Sequence, residues 1–81
     1  MHITDVAEFN RRALIALRGV SFPRGSWDGR FVNDMRAAVV SGRALDEQEQ
    51  EVLIRVVRDN RNHVTDQLVL DYIERTDRGA D

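Results

Sequence analysis

The chain has 81 residues, a net charge of −2 and no cysteine, which excludes disulfides and thiolate metal sites. Its longest apolar run, Ala13-Leu14-Ile15-Ala16-Leu17, falls far short of the roughly 20 residues that a membrane span needs. Charge is divided along the chain: residues 1–43 carry seven Arg against four acids, and residues 44–81 carry five Arg against ten.

Taken in order, residues 4–18 read as a first helix, with Thr4 as N-cap, Asp5 and Glu8 in the first turn, and Gly19 after the last. Val6, Phe9, Ala13, Ala16 and Leu17 share a face. Leu14 and Ile15 fall off it, so the second half of this helix is apolar nearly all round and calls for cover on more than one side. Residues 19–26, GVSFPRGS, form the one Gly/Pro/Ser-rich loop. Ser26 then caps a second helix running to about Ser41, where Gly42 stops it. Trp27, Phe31, Val32, Met35, Ala38 and Val39 occupy its apolar arc, which favours the core for Trp27 over the alternative of a contact residue at the surface.

Leu45–Val64 is the clearest amphipathic segment, and the expected central helix. Asp46 and Glu49 have capping-box spacing, and Glu47, Glu49 and Glu51 complement the positive end of the helix dipole. Val52, Leu53, Val56, Val57, Asn60 and Val64 lie on one arc; Glu47, Glu51, Arg55, Arg58, Arg61 and Asn62 lie opposite. Ile54 is the apolar exception among the arginines. The short connection Gly42-Arg43-Ala44 is expected to make the second and third helices close neighbours. Thr65 then caps a fourth helix, Asp66–Thr76. A strand is compatible with its composition, but the i,i+4 pairs Asp71–Arg75 and Glu74–Arg78 favour a helix, and Asp77–Asp81 are read as a frayed tail.

Catalytic chemistry has little support. His63 lies near Asp59 and Asp66, an arrangement read as structural at a helix C-terminus, and no nucleophile–base pair stands out. Neither a cofactor nor a metal site is expected. The acids that open the third helix would repel DNA phosphates, which argues against its being a recognition helix.

From Phe31 to Val64 the chain resembles small proteins encoded by phages and related mobile elements. The matching positions are Phe31-Val32 on a short helix, a polar spacer, and Leu45-Asp46-Glu47 opening a helix that continues through Leu53 and Val56-Val57 to Arg61. Glu49 stands where that pattern has Gln, and Asn60 where it often has an aromatic residue. The resemblance implies a phage or prophage origin and transfers no catalytic or binding residue.

The expectation is a single all-α domain, residues 1–81, built as a compact bundle of about four helices. The leading functional reading is a non-enzymatic phage-type accessory protein in the cytoplasm of a bacterial host. It would bind another protein through Glu47, Glu51, Ile54, Arg55, Arg58 and Arg61, as an anti-CRISPR-like inhibitor of a host defence complex would. The alternative is a nucleic-acid-binding accessory that uses Arg24, Trp27, Arg30, Arg36 and Arg43. A small core leaves a homo-oligomer open as well.

Overall fold

Helix formation begins at Asp5, which sits in an extended conformation while its carboxylate accepts the Ala7 N–H at 3.0 Å. Asp5, rather than Thr4, therefore caps α1, Val6–Ala16. The helix tightens into a 3-10 turn, Leu17–Gly19, before the loop. The computed structural model describes residues 2–79, and among these the secondary structure is four α-helices and short 3-10 turns, the expected all-α bundle.

Ser26 caps α2, Trp27–Val40, by accepting the Gly29 N–H at 3.1 Å. Its C-terminus is a Schellman closure: Gly42 donates to Val39 O at 3.0 Å and Arg43 to Ala38 O at 2.9 Å, with Gly42 at φ 89°. Helix α3, Glu47–Asp59, carries the full capping box, Glu49 N–H to Asp46 Oδ1 at 2.7 Å and Asp46 N–H to Glu49 Oε1 at 3.0 Å.

The expected continuation of that helix to Val64 does not occur. Asn60 leaves helical geometry (φ −113°, ψ 18°), and its side-chain amide donates to Val56 O at 2.8 Å, competing locally with the backbone. A 3-10 turn, Arg61–His63, follows, and Val64 reaches the core from an extended segment. Asp66, not Thr65, starts α4, Gln67–Gly79, by accepting the Leu68 N–H at 3.1 Å. The residues expected to fray continue this helix as far as Gly79; Ala80 and Asp81 lie outside the described residues.

The element at the centre is α1 rather than α3. It packs against α2, α3 and α4, while α2 leans chiefly on α1, so the short connection does not make α2 and α3 the close pair expected. The reason lies in α1's own sequence: Phe9, Ala13, Leu14 and, just past its end, Leu17 are buried, giving it more than one apolar side to cover. Phe9 stacks on Tyr72 of α4 with ring centroids 4.1 Å apart. Leu53, Val56 and Val57 of α3 and Val69 and Ile73 of α4 complete the interior. Asn10 is its one buried polar side chain among the described residues, and it accepts from Gln50 Nε2 at 2.6 Å. Ile3, 1% exposed, is held against α4 by Arg75, which donates to its carbonyl at 2.7 Å; that contact takes the place of the expected Asp71–Arg75 pair. The radius of gyration, 12.0 Å, is that of a compact chain of this length, about 12 Å. Among the described residues no helix is long and apolar enough to cross a membrane.

Candidate functional site

The α3 residues expected to meet a partner are largely occupied with one another and with neighbouring helices. Arg55 donates to Asp59 at 3.0 Å and across to Asp28 of α2 at 3.0 Å. The hydrogen bond and charge of Asp28 raise the Arg55 pKa above its ordinary value. Arg58 pairs with Asp77 of α4. Ile54 is half-buried against the core, which explains its place among the arginines, and Arg61 has left the helix for the 3-10 turn. Glu47 and Glu51 are exposed. The acidic run is partly structural: Glu49 accepts from Arg43 at 2.9 and 3.0 Å, and these bonds, with the Asp46 N–H, hold its carboxyl below the usual range. Of the expected outward stripe, Arg55 and Arg58 are thus neutralised by aspartates, while Glu47, Glu51 and Arg61 form no ion pair among the described residues.

His63 is exposed in the 3-10 turn, and its expected partner Asp59 is turned to Arg55. Among the described residues no three metal-ligating side chains cluster.

The arginines of the first half are arranged differently. Arg24, Arg30 and Arg36 converge with Arg18, from the 3-10 turn after α1, on a concavity of about 450 Å³ between the loop and α2. None of its lining residues is acidic. Arg18, Arg24 and Arg30 form no ion pair among the described residues, and Arg36 is held by neutral acceptors, Asn33 Oδ1 at 3.2 Å and Leu14 O at 3.1 Å. The Arg36 Nε is buried with no hydrogen-bond partner. Phe22 and Val32 supply an apolar floor.

Local sequence builds this shape. Gly25 turns the chain at φ 77°, a conformation that favours glycine, and brings Ser26 over the first turn of α2. Gly29 lets the loop close down, since a Cβ there would lie 3.0 Å from Ser26 Oγ and 3.1 Å from Phe22 Cβ. Arg43 does not join the group; it lies beyond the other end of α2, bound to Glu49.

Trp27 is a correction. It is 56% exposed rather than buried, stacked on Phe31 with centroids 5.4 Å apart, and the Arg55 guanidinium lies 5.8 Å from its ring. It is the first residue of α2, a helix that leans chiefly on α1. Trp27, Arg30, Phe31 and Asp34 border a shallow depression, and Arg30 also lines the arginine concavity. A partly exposed aromatic stack, with Asp34 beside it, is therefore contiguous through Arg30 with four arginines that form no ion pair among the described residues.

No family model, curated protein or solved structure matches this chain. The geometry alone describes the site. Sequence reasoning missed Arg18, because nothing local links it to Arg24, Arg30 and Arg36.

Proposed function

We propose that this protein is a small non-enzymatic accessory protein that binds single-stranded nucleic acid across the concavity of Arg18, Arg24, Arg30 and Arg36. The observation that carries this reading is the convergence of four arginines with no acid among the lining residues. Charges left unpaired in a concave wall attract an anion more strongly than the same charges paired on a convex face. Arginine also meets phosphate oxygens through a planar fork of donors. The Trp27–Phe31 stack, adjoining through Arg30, offers a platform for unpaired bases, which a duplex would keep stacked inside. The role fits a phage-type protein in a bacterial cytoplasm, where single strands arise during replication.

The test is fluorescence anisotropy with a labelled oligothymidylate and a matched duplex at two salt concentrations. The single strand should bind more tightly, with a log–log salt slope of about −3 for four phosphate contacts. Arg24→Glu combined with Arg30→Glu should abolish binding. No complex at low salt, or an unchanged complex with the double variant, removes the reading.

A second reading, the phage-type protein that acts on another protein as an anti-CRISPR-like inhibitor does, draws support from a different observation. That observation is an apolar groove between α1 and α2, away from the α3 stripe.

A further inference from the structure

The fold leaves four large apolar side chains exposed among the described residues: Val6 at 47%, Ile15 at 54%, Trp27 at 56% and Val40 at 81%. Trp27 belongs to the surface described above. The other three border two adjoining depressions between α1 and the C-terminal part of α2, of about 480 and 150 Å³, which have Arg11 and Val39 in common. Together they make one groove with an apolar floor. Arg11, Arg18, Arg36 and Arg43 stand around it, and no acid is among its lining residues. Among the described residues Arg11 and Arg18 pair with no carboxylate, whereas Arg43 is bound to Glu49.

We infer that this groove docks an amphipathic helix of a partner protein, one whose apolar stripe is flanked by aspartate and glutamate. Two features of the surface select that occupant. The floor is aliphatic and offers no π face for a base, while its walls are cationic, so the complementary surface is apolar in the middle and acidic at the edges. From Val6 to Ile15, α1 extends about 14 Å at 1.5 Å per residue, long enough to lie beside two to three turns of a partner helix.

A second copy of this chain does not supply such a surface. The apolar faces of α3 and α4, Leu53, Val56 and Val57 with Val69 and Ile73, are buried in its own core. Groove against groove, as a two-fold dimer requires, would set one copy's arginines against the other's. The occupant is therefore a different chain. This surface is separate from the proposed nucleic-acid concavity, although Arg18 and Arg36 border both, and the two are tested with residues belonging to one alone.

The probe is a labelled synthetic peptide of about 20 residues, long enough to form a helix, with leucines at helical spacing and glutamates on both flanks. Its counterpart carries lysines in place of the glutamates. The full-length protein is titrated into each and anisotropy is read. The acidic peptide should bind and the lysine peptide should not. Val40→Glu and Ile15→Glu, both at exposed positions where the circular dichroism should stay unchanged, should each weaken binding at least about tenfold. Arg24→Glu with Arg30→Glu should bind the peptide like the parent while losing the oligonucleotide, which separates this inference from the proposed function. It is overturned by no binding of the acidic peptide, equal binding of both peptides, unchanged affinity in Val40→Glu, or a sedimenting dimer that Val40→Glu dissociates. Loss of oligonucleotide binding in Val40→Glu would also overturn it, because the groove would then be part of the nucleic-acid site.

Discussion

The guanidinium of Arg12 in α1 holds the carboxylate of Asp66 at the start of α4 with two hydrogen bonds, Nε to Oδ2 at 3.0 Å and Nη2 to Oδ1 at 3.1 Å. The same carboxylate accepts the Leu68 N–H, so one residue both starts α4 and fastens it to the central helix. Burial works against its charge, but the bonds from Arg12 and the backbone outweigh burial and leave the Asp66 pKa below its ordinary value.

The consequence is a pH dependence of known sign. Because the folded-state pKa is the lower one, the unfolded chain takes up the proton first as pH falls. The contribution of Asp66 is fully present above the unfolded value of about 4 and is lost as pH drops through the folded one. Asp66→Asn keeps a side chain able to cap but breaks the paired bonds. It should lower stability at neutral pH by about 1 kcal/mol, a fall in Tm of about 4–8 °C, and flatten the acid limb of a Tm-against-pH curve. A variant whose acid limb matches the parent's would show that the clasp contributes nothing in solution.

Core and surface aliphatics should differ sharply. Leu53 is 0% exposed at the junction of α3 with the core, and Leu53→Ala should cost about 2–5 kcal/mol, a large part of the stability of a domain this small. Val40→Ser, at a side chain 81% exposed, should change stability by less than about 0.5 kcal/mol. Urea denaturation of both variants measures the contrast, and comparable losses would contradict the packing described here.

The helix boundaries predict two further costs. Asp46→Ala removes one half of the capping box and should lose about 1 kcal/mol. Gly42→Ala places a Cβ on a backbone at φ 89° and should lose about 1–2 kcal/mol although nothing lies within 4 Å of the added carbon. Thermal melts that leave either variant at the parent's Tm would mean that the corresponding end is held by something other than its cap.

Trp27 is the sole tryptophan, so its fluorescence reports one environment. In the folded protein its emission should be red-shifted and open to acrylamide, and it should change little on unfolding. Trp27→Ala should leave stability nearly unchanged while weakening single-strand binding by about 1–3 kcal/mol, the usual worth of one base stacked on an aromatic ring. Blue-shifted, shielded emission would place the ring inside after all.

Much of the fold is legible without coordinates because its signals are local. The Ser26 cap, the Asp46–Glu49 box and the stop at Gly42 involve residues within one turn, and the buried set Leu53, Val56 and Val57 follows from a periodicity contained in α3 itself. Where α3 ends is also a local matter, but it turned on the Asn60 side chain bonding to Val56 O, which periodicity does not register. The helical wheel gives the direction a side chain points and not whether a neighbour lies there. Trp27 therefore faces the right way and remains uncovered, while Ile54 faces the wrong way and is half-buried.

By itself, then, the sequence determined four helices, two of their four starts and most of the interior, since these depend on contacts within a few residues along the chain. Tertiary structure alone decided that α1 lies at the centre and that Arg55 turns to Asp28. It also decided that arginines from the 3-10 turn after α1, the loop and α2 meet around one concavity without an acid to balance them. Those outcomes depend on which helix covers which, a competition among apolar faces that is settled only when all of them pack at once.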